Sequence, residues 1–432
     1  MIIEFNITNF GSIKDKQTLS FEASKDDTLN KYYTFEPIAG VHLLKLAMIF
    51  GPNASGKSTV LKALEFLRKL ILEPVRYSSD TLSFDPFLLN ETSKNEPSVF
   101  ELLFIQAGVK FHYVVTFNQK CIISEVLDYT PRGREANFFT RKTDVKNQTV
   151  EIEYGSLVEI DTKNRLKLEI ATLWNNTVLG VFSHANIDFR YLKLVFDWFD
   201  NYLNPMISPD MNLLEATTKK IILSPKIKEE VTQMLKYADV QIENIDIVEK
   251  VKENYKQIYQ EMSMVSEPEA IYYTKSRGFT DKEIVFNHLG KDGKGRQVLI
   301  PFKVEQESQG TLRYYGLSGV LATLMTEEKM MAIDEFESSL HPDLAQNLIL
   351  RFLVQSKRSQ LLVTTHNIDF LGEQDVIRRD TIWFTQKNKN GATELYSAAD
   401  FDTSVLRKTS SLLNVYATGK LGAKPNLGSV FS

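Results

Sequence analysis

Apolar and polar positions change rhythm repeatedly along the chain. Ile2 to Phe10 alternates loosely and predicts a strand, with Thr18 to Phe21 as its hairpin partner. Leu43 to Phe50 is nearly continuous apolar sequence, the pattern of a buried strand. Then come Val99 to Ile105, Val109 to Phe117, Cys121 to Tyr129 and Val150 to Tyr154, β-rich runs separated by Ala107-Gly108, Asn118-Gln119 and Pro131-Arg132-Gly133. Together they predict an antiparallel meander. From Leu166 to about Tyr259 the spacing is mainly helical. Ser224-Pro225 supplies an N-cap and first turn, and Ile227, Val231, Met234 and Leu235 share one face. Tyr272 to Pro301 returns to strand character around the glycine-rich turn Gly290 to Gly295. Gln306 to Gln386 alternates helix, strand, helix, strand, as doubly wound α/β chains do. The predicted class is therefore α/β. Residues 1–106 and 301–432 form two halves of one core and enclose a β-meander at 107–165 and a mainly helical insertion at 166–300.

The chemistry begins where the strand Leu43 to Phe50 ends. Gly51-Pro52-Asn53-Ala54-Ser55-Gly56-Lys57-Ser58-Thr59 is a phosphate-binding loop between a strand and a helix, the latter expected from Thr59 through Lys69. Gly51 and Gly56 permit the tight turn, and the backbone N–H groups of Asn53, Ala54 and Ser55 can wrap phosphates. Lys57 reaches the β- and γ-phosphates of ATP, the Ser58 hydroxyl ligates Mg²⁺, and Thr59 opens the helix whose positive end faces the anion.

Lys329 to Ile333 is a second apolar strand ending in the acidic pair Asp334-Glu335. Open α/β sheets bind ligands at the carboxyl ends of their strands. There Asp334 would support Mg²⁺ and Glu335 would act as general base on the attacking water. A pair of solvated acids is the bland alternative, outweighed by the phosphate loop. Leu361 to Thr365 predicts a further strand, and His366 at its end can reach a γ-phosphate; no role is assigned to His42, His112, His184 or His288. Glu307-Ser308-Gln309-Gly310-Thr311 opens another helix. Ser308 and Gly310 make a second anion site there, which points to nucleotide held between two subunits, one contributing Lys57 and the other Ser308. An ordinary serine N-cap with Gly310 as a turn residue is the other reading.

Composition narrows the classes. The 432 residues carry a net charge of −4, which advertises no global field for nucleic acid, although local basic patches remain open. A single cysteine, Cys121, rules out an internal disulfide framework and fits a reducing cytoplasm. No apolar run approaches the ~18 residues of a membrane span, and Met1-Ile2-Ile3-Glu4-Phe5 lacks the features of a signal peptide.

In this order the motifs resemble the ABC-type ATPases of the SMC and RecF group. Ile7-Thr8-Asn9-Phe10-Gly11-Ser12 is similar to that group's opening strand, Glu307 to Thr311 to its signature, Ala332 to Glu335 to Walker B, Glu337 to His341 to its D-loop and His366 to its switch histidine. The tail Tyr416 to Pro425 resembles the ending of stand-alone bacterial ATPases related to the OLD nucleases, including those of abortive-infection and restriction-linked phage-defence systems. The resemblance implies a split ABC-type P-loop core that hydrolyses ATP with Mg²⁺ as a homodimer or higher homo-oligomer. It further implies a separate effector partner, with a Toprim-type nuclease as one form, in anti-phage defence. Three departures stand out. Gly11 occupies a position where the group often has arginine, with Lys14 as the substitute considered. The Q-loop glutamine is not identified, Gln106 and Gln119 being weak candidates. No heptad arm interrupts the chain. The stretch after His366 is shorter than an ordinary domain, and Asp400-Phe401-Asp402 is read as a loop, so any nuclease chemistry is expected from a partner. The alternative is a RecF-like DNA-maintenance ATPase using Lys219, Lys220, Lys226, Lys228, Arg277 and Lys291 to Arg296. Trigger, stoichiometry and direct DNA or RNA binding are not legible.

Overall fold

A computed structural model describes residues 1–131, 133–238, 241–251, 280–372, 376–402, 406 and 411–425. The helical expectation over 252–259 and the strand expectation over 272–279, with Arg277, lie outside the described residues. The chain divides into two compact units, Met1–Met211 with Glu327–Ser338 and Ile349–Ser432, and Asn212–Thr326 with Ser339–Leu348.

The first unit contains two large sheets of different kinds. One has five strands, in the order Met330–Ile333, Gln360–Thr365, Leu46–Phe50, Ile382–Lys387 and Thr393–Ser397; only the last is antiparallel to its neighbour. Every residue of Leu46–Phe50, Met330–Ile333 and Gln360–Thr365 is buried, as expected of parallel strands covered on both faces. The apolar run at Leu43 to Phe50 is broken at Lys45. Val41–Leu44 pairs instead with Thr34–Ile38, and the Lys45 ammonium turns inward to donate to the carbonyls of Leu353 (3.2 Å) and Ser356 (2.6 Å) at the end of helix Pro342–Gln355.

The other sheet is antiparallel and seven-stranded, in the order Thr149–Tyr154, Ala136–Asp144, Ile122–Thr130, Val109–Phe117, Ser98–Gln106, Ile2–Thr8 and Gln17–Ser20. Its strands alternate. Phe111, Tyr113, Val115 and Phe117 are buried, while Lys110, His112, Val114 and Thr116 are half-exposed. The meander and the N-terminal hairpin are thus one sheet, and it includes Ala136–Asp144, a strand absent from the sequence expectation. Helix Lys57–Leu72 buries Val60, Leu61, Ala63, Leu64, Leu67, Leu70 and Ile71. On the same helix, Phe66 meets Phe100 and Phe117 of the antiparallel sheet at 6.2 and 5.5 Å between ring centroids.

In the second unit, helices Leu214–Leu223 and Pro225–Tyr237 pack on helix Gln309–Thr326. Close approach is built in by small residues: a Cβ on Gly319 would lie 2.3 Å from Thr217 Oγ1. Ser224 Oγ accepts from Ile227 N–H, and Ile227, Val231, Met234 and Leu235 are buried, as their spacing predicts. Ile242–Val251 corrects the helical expectation there. It is a strand, and with Thr280–Lys291 and Gln297–Lys303 it forms a three-stranded antiparallel sheet. Among the described residues no helix is long and apolar enough to cross a membrane.

Candidate functional site

The register of the parallel sheet decides what meets what. Phe50 pairs with Thr365, and Ile333 with Val363, so Gly51, Asp334 and His366 all emerge at the carboxyl ends of adjacent strands. The strand ending at His366 lies between the other two, next to the acidic strand.

Behind the loop, two threonines leave no room for side chains. A Cβ on Gly51 (φ +156°) would stand 2.5 Å from the Thr385 carbonyl oxygen, and one on Gly56 (φ +109°) 2.1 Å from Thr393 Oγ1. Both glycines are therefore obligatory for sterics as well as conformation. Ser55 Oγ lies 2.6 Å from Thr385 Oγ1, and Thr393 Oγ1 donates to the Ser55 carbonyl at 2.8 Å. Ser12 Oγ ties the loop's far side together, 2.9 Å from Thr59 Oγ1 and 2.8 Å from Thr393 Oγ1. Helix Lys57–Leu72 starts at Gly56 with no side-chain cap; Thr59 N–H bonds the Gly56 carbonyl at 3.0 Å, and the N–H groups of Lys57 and Ser58 before it are the ones placed for an anion.

The charged groups converge in front of the loop. Lys57 Nζ donates to the carbonyls of Gly51 (2.8 Å) and Pro52 (3.2 Å) and lies 3.4 Å from His366 Nδ1. Burial lowers the Lys57 pKa, and the carboxylates of Asp334, Glu335 and Glu337 oppose that shift. Ser58 Oγ donates to Asp334 Oδ1 at 3.0 Å, and Thr364 Oγ1 donates to the same oxygen at 2.5 Å. Thr364 Oγ1 in turn accepts from Glu335 N–H at 2.8 Å, fixing a residue whose backbone is left-handed (φ +47°). Glu337 Oε1 accepts from His366 N–H at 2.5 Å, and its other oxygen is buried with no hydrogen-bond partner. The His366 pKa is lowered, by burial first and by the neighbouring Lys57 ammonium second, with Glu337, Glu335 and Asp334 pulling the other way.

Asn53, Ala54, Ser55, Gly56, Lys57, Ser58, Thr59, Glu335 and His366 line one cleft of about 410 Å³, joined by Ser12. Gly51 supports it from behind, and Asp334 reaches it through Ser58. Ser308 and Gly310 belong to the second unit. There Ser308 is exposed, accepts from Thr311 N–H at 3.1 Å and lies 2.9 Å from Thr311 Oγ1; a Cβ on Gly310 would approach the Ser339 carbonyl to 3.2 Å. Lys14, Gln106 and Gln119 do not line the cleft. Gln119 donates instead to the Phe84 carbonyl. Gly11, at φ +56°, would bring a Cβ within 2.9 Å of Thr59 Cγ2, so an arginine does not fit this backbone. Asp400 accepts from Ser397 N–H, as part of a turn. Sequence reasoning missed Ser12, Thr364, Thr385, Thr393 and Glu337's bond to His366. Only Thr364-Thr365, polar residues ending an apolar strand, left a signal.

The donor set suits a nucleotide with a divalent cation. A glycine cradle closed to any Cβ, an uncapped helix start, a lysine and a serine–aspartate pair within hydrogen-bond distance are all present.

A family model described as "AAA domain, putative AbiEii toxin, Type IV TA system" matches residues 46–372, and the chain belongs to that family. It is thus an AAA domain of a family described with a putative AbiEii toxin. No curated protein matches the chain. Solved structures with similarity include the SMC head domain from Thermotoga maritima, at 12% identity and a TM-score of 0.38, covering 92% of this chain and 98% of that one. Another is an SMC head bound to the C-terminal winged-helix domain of ScpA, at 13% identity and a TM-score of 0.40, covering 92% and 97%. A third is an SMC head with an extended coiled coil bound to the C-terminal domain of ScpA, from Pyrococcus furiosus, at 14% identity and a TM-score of 0.38, covering 92% and 96%.

Proposed function

We propose that the protein is an ATP-hydrolysing switch whose two copies face head to tail and hold two nucleotides between them. The observation that carries this is the convergence of Lys57, Ser58, Asp334, Glu335 and His366 on one cleft, with Ser308 exposed at a helix start in a separate compact unit. The loop N–H groups and Lys57 bind the phosphates. Ser58 and Asp334 would hold Mg²⁺, whose charge neutralises the phosphate oxygens when bound. Glu335 takes a proton from the attacking water, and ATP and water become ADP and phosphate. Its backbone N–H is held by Thr364, which fixes the point from which the side chain starts. His366 senses the γ-phosphate. Burial and the Lys57 ammonium lower its pKa, which favours the neutral ring beside that lysine.

Ser308 and Gly310 serve the nucleotide bound on the other copy. ATP then favours the closed pair because its phosphates satisfy donors on both, and hydrolysis removes that bridge. The output is control of a separate cytoplasmic effector, a nuclease by family resemblance, in anti-phage defence. The family's description as a putative toxin of a type IV system supports a role in such two-component systems. A direct DNA clamp is less well supported. Of the basic residues it would use, Lys219 is paired with Glu215 at 2.6 Å and Arg296 with Asp292 at 2.8 Å, so part of that charge is already opposed.

The test of the output is an affinity pull-down of Glu335→Gln from the native cell, with and without ATP. Stoichiometric recovery of a nuclease-like neighbour is expected. Recovery of DNA with repair factors and no dedicated partner would overturn the effector reading.

A further inference from the structure

In the second unit, one side-chain bond joins the three-stranded sheet to the residue preceding Ser308. His288 Nε2 lies 2.5 Å from Glu307 Oε1. The Glu307 side chain is only 5% exposed and that of His288 17%. The imidazole packs against Phe302 in a tilted arrangement, with centroids 4.4 Å apart, and its backbone is held between Ile242 and Ile300 on the flanking strands. From Lys303 a single 3₁₀ turn, Val304–Gln306, leads to Glu307, whose N–H donates to the Val304 carbonyl. A carboxylate this deep is costly to bury unless it is hydrogen-bonded. Losing one partner of a buried pair is costlier than the pair's own net contribution. Ser308, one residue later, is exposed, and among the described residues its hydroxyl hydrogen-bonds to Thr311 alone. On the helix side Ser308 is held by its carbonyl, which accepts from Leu312 N–H at 3.0 Å, and by its bonds to Thr311; on the sheet side the tether is its neighbour Glu307, held by His288.

We propose that His288 is a positioning residue. Through Glu307 it holds the Ser308–Gly310 segment in the orientation that meets nucleotide bound on a second copy, so the three-stranded sheet and the signature segment act as one body. This rests on the head-to-tail reading above. A pair that served stability alone would alter melting and leave closure untouched. A positioning pair alters closure while the Lys57 cleft, which His288 does not line, keeps its affinity for ATP.

The experiment uses the full chain. A fluorescent ATP analogue reports binding at low protein concentration, and ATP turnover is followed as protein concentration rises. For the native protein, specific activity climbs with concentration. His288→Phe keeps the ring beside Phe302 and removes the donor. It is expected to bind the analogue within about twofold of native, and to need at least about fivefold more protein for half-maximal activity. His288→Gln, which restores an N–H donor, is expected to recover most of that loss. Should His288→Phe not fold, His288→Phe combined with Glu307→Leu removes the buried charge with its partner and is read the same way. If native activity does not depend on concentration, the head-to-tail reading falls and takes this inference with it. If native activity does depend on it and His288→Phe behaves as native, the positioning role alone is overturned. Equal impairment of the Phe and Gln variants, with equal loss of melting temperature, also overturns it, because restoring the donor should have mattered.

Discussion

The Lys57 cleft and the Ser308 segment are built in opposite ways. Around Lys57 nearly every group is braced by another. Ser58 and Thr364 converge on Asp334, Thr364 also holds Glu335, Glu337 holds His366, and Ser12, Thr385 and Thr393 close the loop from behind. Ser308 is exposed, and among the described residues its hydroxyl engages only Thr311, three positions on. The first arrangement is preorganised to bind and react. The second presents a hydroxyl and the start of a helix outward. The contrast teaches that nucleotide binding and nucleotide-driven assembly are separable properties of this chain.

The largest effect that would sharpen the contrast lies at Glu335. Glu335→Gln should lower steady-state ATP turnover by at least about 100-fold, the usual scale for a lost general base, while ATP affinity stays near native. Normal hydrolysis by that variant would remove Glu335 from the mechanism. Lys57→Ala comes next. Losing a charged donor to phosphate should weaken ATP binding about tenfold or more in titration calorimetry. Native affinity would mean that the loop does not bind phosphate through this lysine.

Gly56→Ala tests the bracing itself. The new methyl would meet Thr393 and strain a left-handed backbone, at a cost of about 1–3 kcal/mol, read as a lower melting temperature even without nucleotide. An unchanged melting temperature would show that the loop yields easily and is not preorganised. The smallest effect concerns His366. Its folded pKa is lowered, so as pH falls below the unfolded value of about 6.5 the unfolded chain takes up a proton more readily than the folded one. Its contribution to stability is therefore complete above that pH and is lost as pH falls from there toward the lowered value. Native protein should lose slightly more melting temperature between pH 7.5 and pH 5.5 (both about) than His366→Gln. The reverse order would put the shift in the other direction.

Much of this was legible because certain patterns admit one solution. The glycine–lysine–serine loop between an apolar run and a helix, the acidic pair after Met330–Ile333 and the histidine after Gln360–Thr365 all lie at strand ends, where local sequence and site coincide. What escaped depended on topology. Ser12 and Thr393 meet across 381 residues, and Ser55 and Thr385 across 330; no local pattern encodes such pairs. The strand Ile242–Val251 was misread for a specific reason. A register shift between Ile242 and Asn244 buries Ile242 and Ile245, three residues apart, and so imitates a helical repeat. The strand Ala136–Asp144 was missed because its end is polar. Arg141 is fully buried there, donating to the carbonyls of Ile122, Trp174 and Asn176 where an apolar residue would be expected.

The central claim is that a second copy completes the nucleotide site. Sedimentation of Glu335→Gln with and without ATP and Mg²⁺, repeated after adding Ser308→Arg to it, tests this most directly. The account predicts monomer without nucleotide, dimer with it, and monomer again with ATP still bound once Ser308→Arg is present. A species whose size responds neither to ATP nor to Ser308→Arg would contradict it.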